Sequence, residues 1–419
     1  MKRRILSILV ISFAASVFAV PSASVRSVTQ ADDESVTITY DLDEPAVVTV
    51  SILFEGNVLG DETTQHVSGD VNCKLQAGNN YSIKWFPDVD WPGHKFSETK
   101  VKVRLTAWPL DDTPDYMVVD LSSTSDGRIR YFTSTNALPG GILANKDYRQ
   151  SKMVFRKIRA KDVTWMMGPD GAHHAVKLDH NYYIGVFELT AQQYYSIYGK
   201  QLGYFTGVEW WMRSVDDQNI LTTVRGITAD SLYPKAPDPS SVLGKLRTLC
   251  ANEIDFDLPS EAQWEFAARG GANPNGYWGD GSPVAISGDV DVNLSRMARY
   301  AKNDGLIGGT LNPYNSCNYT IGPTNGVAIV GSYEPNQLGL YDMHGNCGEY
   351  CIDMFKSDIA SYGGAIVAPD AVKYKHVFKG GRYQDKPEMC LPSYREGRTG
   401  YSAMGGGFGC RFACRAGLK

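Results

Sequence analysis

The sequence predicts an α+β protein in which an N-terminal β-sandwich of immunoglobulin-like class is followed by a second, mixed domain. Apolar and polar residues alternate strand after strand over residues 24–121. A polar stretch, SSTSDGRIRYFTSTNALPGG, ends in Pro-Gly-Gly and predicts a linker over residues 122–150. The 42 glycines and 20 prolines are too many for a helical bundle, so we expect the second domain, residues 151–419, to combine strands with short helices.

The strand pattern of the first domain is visible in three segments. SVTITYDL places apolar residues from Val36 to Leu42 on one face, and AVVTVSILF follows it. TKVKVRLTAW sets Val101, Val103 and Leu105 on one face and its cations on the other. Cys73 is the only cysteine of this domain, so the intersheet disulfide of antibody domains cannot form and the class rests on the pattern.

The N-terminus has the layout of a secretory signal. Basic residues precede an apolar run from Ile5 to Ala19, which ends in small residues. A membrane anchor is the alternative, but the run is shorter than the roughly 20 residues that span a bilayer. We therefore expect residues 1–19 to be a signal peptide, and the mature protein to be secreted or periplasmic without stable membrane insertion.

The net charge bears on which partners the protein can bind, and the cysteine content bears on whether it contains disulfides. The formal net charge is −5, and loss of Lys2, Arg3 and Arg4 makes it −8, which disfavours nucleic acid as a partner. All eight cysteines survive cleavage, and exported thiols tend to pair, although the connectivity stays open. No CxxC is present and no histidine pair lies near the closely spaced cysteines, so a structural zinc site is a weak interpretation.

One helix of the second domain can be read directly from LPSEAQWEFAARGG. Ser260 has the chemistry of an N-cap, and the Gly270-Gly271 pair ends the apolar face that follows it. Glu265 and Arg269 are four residues apart, where an ion pair forms on one helix face. Taken alone, this segment predicts a buried amphipathic helix.

Four stretches together are more specific. They are NYYIGVFELTAQQYYSIYG, LPSEAQWEFAARGG with YWGD after it, NQLGLYDMHGNCGEYCIDMF, and the closing KGGRY, YREGRTG and GGFGCRFACR. Their order and spacing resemble the formylglycine-generating enzyme, or sulfatase-modifying factor, family over about residues 151–419. The resemblance implies a C-type-lectin-like mixed α/β fold with little regular secondary structure, often held together by calcium.

The resemblance also implies alternative activities. The family's founding reaction oxidises a cysteine of a sulfatase to formylglycine, using oxygen and a copper(I) ion held by two thiols. Other relatives bind iron through histidines and form carbon–sulfur bonds, and others are binding modules. Because the fold does not decide among these, the residues of the site must.

Cys390 lies where the oxidase's first active thiol would be, counted from Gly380-Gly381. Arg395 stands where the second thiol should be, and arginine cannot bind a metal ion. Copper can then be held only if Cys410 or Cys414 replaces the missing ligand. The alternative roles of Cys390 are a buried small hydrophobe or half of a disulfide. Arg395 in turn suits a structural arginine paired with buried carboxylates or carbonyls.

GLYDMHGNCGEYC predicts a calcium site. Asp342 and Glu349 are hard oxygen ligands separated by a glycine-containing turn. Carried over from the family by position, they would supply carboxylates, and Gly345 and Cys347 would supply backbone carbonyls. The family's usual Trp-Glu-Trp is GEY here, so two large rings are missing. The alternative is a turn whose aspartate caps its own backbone. A second family calcium site would lie near AKNDG and GPTNG.

An iron site formed by histidines is a third alternative. The only histidine cluster comprises His173, His174 and His180, with Asp179 beside it. A two-histidine, one-carboxylate iron site needs open, converging ligands, whereas this stretch reads as an edge strand with solvated histidines. The histidine-rich helix motif of the iron relatives is also missing.

Two functions of different classes therefore remain. The first is a noncatalytic recognition or scaffold module, stabilised by calcium, that binds an exported protein or a glycan. Aromatic stretches such as GYFTGVEWWMRSV and DVDWPGHKF are compatible with sugar stacking, although core packing is their more common role. The second is a copper-dependent oxidase, with Cys390 as the retained catalytic thiol, that acts on a cysteine of an exported client. The sequence leaves the client and the oligomeric state open.

Overall fold

The fold was analysed in a computed structural model. It describes residues 20–93, 100–123, 128–200, 214–215, 220–226, 236–302, 306–307, 310–311, 327–357, 375–398 and 407–417. The predicted signal peptide, most of GYFTGVEWWMRSV, most of the second predicted calcium segment and Cys317 lie outside the described residues.

Strands are the main regular secondary structure of the described chain. The strands are β1 (Ala23–Gln30), β2 (Val36–Leu42), β3 (Ala46–Phe54), β4 (Asn57–Val58), β5 (Val67–Gly69), β6 (Lys74–Leu75), β7 (Gly78–Trp85), β8 (Val101–Pro109), β9 (Tyr116–Asp120), β10 (Ile129–Phe132), β11 (Lys152–Ile158), β12 (Thr164–Met167), β13 (His174–Lys177), β14 (Tyr182–Gly185), β15 (Leu306–Ile307), β16 (Thr310–Leu311), β17 (Gly348–Met354), β18 (His376–Lys379), β19 (Glu396–Arg398), β20 (Phe408–Gly409) and β21 (Ala413–Arg415).

The helices are short. They are α1 (Pro87–Asp90), α2 (Ala191–Tyr198), α3 (Ile220–Arg225), α4 (Val242–Leu249), α5 (Glu261–Ala268) and α6 (Leu294–Met297). No helix among the described residues is long and apolar enough to cross a membrane. The protein is therefore a mixed α+β structure dominated by sheets.

Strands β1 to β8 form two sheets around one core. One sheet has the order β1-β2-β7-β5, and in the other β3 pairs with β4, β6 and β8. Alternate residues of β2, β3, β7 and β8 point into a shared apolar cluster that buries Trp85 completely. The strands expected for SVTITYDL, AVVTVSILF and TKVKVRLTAW are β2, β3 and β8, so these three predictions are confirmed.

A five-stranded sheet links the two halves of the sequence, in the order β10-β9-β11-β14-β21. Strand β9 falls within the segment predicted as the first domain, yet it pairs with β11 beyond the predicted linker. Strand β10, inside that linker, also contacts the N-terminal half, because the Tyr131 N–H donates to the Asn72 carbonyl at 2.7 Å. The domain limits stay a prediction.

This sheet is covered on both faces. Met117, Val119 and Phe155 point into one apolar cluster, and Val118 and Val154 point into a second. Because neighbouring residues of a strand face opposite sides, continuous apolar runs in β9, β11 and β14 serve both clusters. The sheet is thus the central layer of the C-terminal part, and it positions β14 and β21 beside the candidate site.

Helix α5 forms as its sequence predicts. The Ser260 side chain accepts from the Gln263 N–H at 3.1 Å, and the Gln263 side chain accepts from the Ser260 N–H at 2.9 Å, which completes a capping box. Trp264 is fully buried against the second cluster. The expected Glu265–Arg269 pair is present at 2.7 Å and is fully buried, so this prediction is confirmed.

Loss of the cap will destabilise the protein measurably. We expect Ser260→Ala to lower the free energy of unfolding by about 1 kcal/mol, because the N-terminal amides of α5 lose an acceptor. Urea denaturation followed by circular dichroism measures the change. Ser196→Ala is the matched control, since Ser196 is an exposed residue inside α2, where alanine is well tolerated. Equal losses in both variants would contradict a role for the cap.

Candidate functional site

The guanidinium of Arg411 is completely buried and makes hydrogen bonds to several segments of the C-terminal part. Its Nε and Nη2 atoms donate to the Glu349 carboxylate at 2.6–2.9 Å. The remaining donors reach backbone carbonyls of Gly185, Tyr341 and Asp342 at 3.0–3.3 Å. One side chain therefore holds together the end of β14, the loop before β17, and β17 itself.

Glu349, a predicted calcium ligand, lies at the centre of this arrangement. Both carboxylate oxygens accept from Arg411, and Oε2 also accepts from Trp264 Nε1 at 2.7 Å. The side chain is completely buried on β17. A calcium ion at Glu349 would therefore have to share the carboxylate with a guanidinium and an indole.

Asp342, the other predicted carboxylate ligand, is buried and only half satisfied. Its Oδ2 accepts from the Gly331 N–H at 2.7 Å, whereas Oδ1 has no hydrogen-bond partner. Burial raises the pKa of Asp342 to about 6. Its backbone is left-handed, with φ of 56°, so the turn before β17 is unusual for a residue other than glycine.

Glu188 completes the group, and the sequence reasoning missed it. One of its oxygens accepts from the Cys347 N–H at 2.9 Å, and the other accepts from the Asn346 side chain. Burial raises the pKa of Glu188 well above its usual value, and the charges of Asp342 and Glu349 add to this effect. Arg411 thus acts on all three of these buried carboxylates, and Arg149 also acts on Asp342. The available signal was an acidic residue inside the apolar run YYIGVFELT.

Cys390, the candidate catalytic thiol, is completely buried in an apolar cluster with residues such as Trp278 and Leu294. The thiol donates weakly to the Lys386 carbonyl at 3.8 Å. Gly381 has a positive φ of 70°, and a Cβ atom there would lie 2.9 Å from the Cys390 sulfur. Burial raises the pKa of Cys390, so the thiol form is favoured at neutral pH.

Arg395 lies in a second buried ion-pair network. Its Nε and Nη2 atoms donate to the two oxygens of Glu261 at 2.7 and 2.8 Å. Its Nη1 donates to the Lys356 carbonyl, and the guanidinium lies 4.7 Å from the centre of the Phe355 ring. These are the partners expected of a structural arginine.

The network continues from Glu261 into α5. Lys379, on β18, lies 3.8 Å from Glu261 and 2.8 Å from Glu265, and Glu265 also binds Arg269. Burial raises the pKa of Glu265, but the neighbouring cations more than offset this and hold it below the usual value. Arg395 is therefore one end of a chain of alternating charges.

His344 lies beside Cys390, with its Nδ1 atom 2.9 Å from the Cys390 carbonyl oxygen, and burial lowers the pKa of His344 to about 4. The thiols that could replace the missing ligand lie elsewhere. Cys410 and Cys414 belong to a different apolar cluster, and burial raises the pKa of both. His180 pairs with Asp179. Within the described ranges, no three histidine, cysteine or acidic side chains converge as metal ligands, and none of the cysteines forms a disulfide.

Replacement of Arg411 by an uncharged residue will destabilise the folded protein strongly. We expect Arg411→Met to lower the free energy of unfolding by about 3–5 kcal/mol, because it leaves Glu349 buried without its charge partner. Urea denaturation measures the loss. Arg26→Met is the control: Arg26 pairs with Asp41 at the exposed surface, where breaking an ion pair changes stability little. A small loss at Arg411 would show that this ion pair does not hold the site together.

Comparisons with known proteins agree with the four motifs. A family model described as the sulfatase-modifying factor enzyme 1-like domain matches residues 135–416. The formylglycine-generating enzyme of Mycobacterium tuberculosis is 30% identical over 141 residues, which are 32% of this chain and 42% of that enzyme. The corresponding enzyme of Thermomonospora curvata is 34% identical over 104 residues, 24% of this chain and 28% of that enzyme.

Another relative carries a different name. The chaperone protein LppX of Paenibacillus barcinonensis is 27% identical over 186 residues, 41% of this chain and 61% of that protein. The chain thus spans less than two thirds of the length of these curated relatives.

Solved structures show similar chains. Treponema denticola variable protein 1 has a TM-score of 0.45 and 20% identity over 63% of this chain and 95% of its own. PvdO from Pseudomonas aeruginosa has a TM-score of 0.40 and 18% identity over 62% and 94%. Because the family model covers more than half of the sequence, the chain belongs to the sulfatase-modifying factor, or formylglycine-generating enzyme, family.

Proposed function

We propose that this protein is an exported, noncatalytic recognition or scaffold module built on the fold of the formylglycine-generating enzymes. The observation that carries the proposal is the environment of Arg395. This residue stands five positions after Cys390, where the family resemblance places the second copper-binding thiol. It is held by a two-point ion pair with the buried Glu261, so the position serves packing and charge neutralisation.

The state of Cys390 also supports a noncatalytic role. Copper(I) is bound by thiolates, and a thiol whose pKa is raised by complete burial ionises poorly at neutral pH. Cys390 packs among apolar side chains, which is the usual environment of an inert structural cysteine. These residues do not fit a two-thiolate copper site, and no reaction step is assigned to copper.

The relatives support both candidate functions in part. The name of the Paenibacillus chaperone protein denotes a role in assisting other proteins, which favours a binding function. The formylglycine-generating enzymes favour the alternative, a copper-dependent oxidase acting on a cysteine of an exported client. The residues around Cys390 and Arg395 make the binding function the stronger candidate.

The architecture fits a recognition molecule. We assign the sheets of β1 to β8 to an immunoglobulin-like sandwich over residues 24–121, supported by their shared core. Residues 151–419 are assigned to a C-type-lectin-like domain, and residues 122–150 to the segment between them. Sandwich domains outside the cell often position a partner domain. The proposed ligand is an exported protein or a glycan, reached after cleavage of the signal peptide over residues 1–19.

Calcium is proposed as a structural ion near Asp342. Glu188, Asp342 and Glu349 are buried carboxylates that all feel the charge of Arg411, although the three side chains do not converge as a ready set of metal ligands. Buried carboxylates are stable when a cation or a proton neutralises them. The unpartnered Oδ1 atom of Asp342 fits a calcium ligand, whereas Glu349 is engaged by Arg411 and Trp264. Gly345 and Cys347 remain the proposed carbonyl ligands.

Calcium is expected to stabilise the folded protein through Asp342. At a free concentration 100-fold above Kd, a ligand specific for the folded state adds about 2.7 kcal/mol to its stability. Thermal unfolding in calcium and in EDTA should therefore differ for the wild type and not for Asp342→Asn. Asp33→Asn, at an exposed aspartate of the N-terminal half, should keep the calcium effect. Identical wild-type melting curves in calcium and EDTA would exclude the ion.

Copper(I) should not bind tightly to the mature protein. An anaerobic titration against a competing chelator is expected to show no stoichiometric site, because Arg395 replaces one thiolate and Cys390 is a buried thiol. A thiol reagent applied to the native protein should modify Cys73, which is half-buried, and should reach Cys390 only after denaturation.

The opposite result would restore the oxidase function. One equivalent of tight copper, lost in Cys390→Ser and kept in the control Cys73→Ser, would show that another thiol completes the site. The noncatalytic proposal would then be wrong, and cysteine-containing client peptides would be the substrates to examine.

A further inference from the structure

A cavity of about 490 Å³ lies at one edge of the five-stranded sheet. It is lined by parts of β21, of the segment 177–180 and of the segment 255–263, together with Arg247 and Ile352. Neither Cys390 nor Arg411 lines it. Its volume falls within the range of cavities that bind small ligands.

One wall of the cavity is a strand edge. On one side of β21, the Phe412 carbonyl accepts from the Gly185 N–H of β14, and the Ala416 N–H donates to the carbonyl of Asn181, just before β14. Ala413 bonds on the other side, where it exchanges two hydrogen bonds of 2.8 and 2.9 Å with Asp257. Because backbone groups alternate along a strand, the amide and carbonyl of Arg415 face the same side as those of Ala413.

The pairing with Asp257 stops before it reaches Arg415. The contact is an isolated bridge of one residue pair, and no further backbone hydrogen bond joins Arg415 to residues 255–257 in the described chain. Arg415 itself lines the cavity and is exposed. Among the described residues, the edge of β21 is therefore unpaired at Arg415, where it faces the cavity, and such edges accept an added strand.

The floor beside this edge is apolar. Leu258, Ile352 and Ala413 are buried and line the cavity. Strand addition combines backbone hydrogen bonds with pockets for alternate side chains, and this floor can receive one apolar side chain of an added strand.

The cavity is lined by charges of both signs, because Asp179, Asp255 and Asp257 lie there together with Lys177, Arg247 and Arg415. Asp257 is engaged by Arg225 at 2.7 Å and by Arg247 at 3.6 Å, and Asp179 pairs with His180. The exposed side chain of Arg415 forms no ion pair within 4 Å among the described residues, although its charge helps to lower the pKa of Asp179, for which His180 is the main cause. The Arg415 guanidinium is thus available to a carboxylate, which it binds in a two-point geometry.

We propose that this cavity binds an extended segment of a partner protein, which pairs with β21 at Arg415 and places an acidic side chain on its guanidinium. The inference rests on the proposed binding function, to which it adds the class of partner. It does not involve Cys390 or Arg395. The peptide-binding experiment at this cavity and the copper(I) titration therefore have independent outcomes.

The proposal is tested by selecting peptides that bind to the full mature protein. A phage library of random twelve-residue peptides is panned on the wild type after depletion on Arg415→Glu, and enriched sequences are synthesised with a fluorescent label. We expect acidic peptides that bind the wild type at least about tenfold more tightly than Arg415→Glu in fluorescence anisotropy. N-methylation of a central peptide bond should abolish binding, because it removes a donor needed for strand pairing.

Two controls separate this site from general charge and from misfolding. Lys100→Glu makes the same charge change at an exposed position beside β8 and should leave peptide affinity unchanged. Arg415→Glu should keep the wild-type circular dichroism spectrum and Tm.

Selection of no peptide that distinguishes Arg415→Glu from the wild type would overturn the proposal, as would peptides insensitive to N-methylation. If no such peptide is selected and no tight copper(I) binding is found, the proposed noncatalytic function still stands and only the docking site is rejected. Peptide binding together with tight copper keeps this docking site and removes the noncatalytic function.

Discussion

The C-terminal part of this protein depends on the buried pair of Arg411 and Glu349. The guanidinium bonds to one carboxylate and three backbone carbonyls, and Trp264 of α5 binds the same carboxylate. A buried charge without partners is far more unfavourable than an unmade surface ion pair, so each of these segments is held to the others. The turn that carries Asp342 and the start of β17 take their positions from this constraint, whichever activity the site supports.

The sequence predicted the parts of the fold that local chemistry determines. Period-two alternation identified β2, β3 and β8, and the cap chemistry of Ser260 identified the start of α5. The Glu265–Arg269 pair followed from a spacing of four residues. The ion pair of Arg395 with Glu261 joins residues 134 positions apart. Arg395 was expected to pair with buried carboxylates or carbonyls, but no local spacing in the sequence identifies Glu261 as its partner.

The residues of the candidate site were also predicted only in part. Asp342 and Glu349 stand in one short motif and could be singled out, whereas Glu188 is an isolated acid in an apolar run on a distant segment. Only the folded chain brings it to Cys347. The sequence allowed Cys390 to be either a reactive thiol or a packed one. Its burial depends on Trp278, Leu294 and Gly381, which come from three separate segments.

The ion pair at Arg395 has an evolutionary consequence. A substitution of Arg395 by cysteine would place a second thiol five residues after Cys390, yet it would leave the buried carboxylate of Glu261 without its guanidinium and remove the hydrogen bond to the Lys356 carbonyl. Since an uncompensated buried charge destabilises a protein strongly, this single step is selected against before any catalysis can reward it. A cysteine at position 395 therefore requires a change at Glu261 as well, so the two positions are expected to change together.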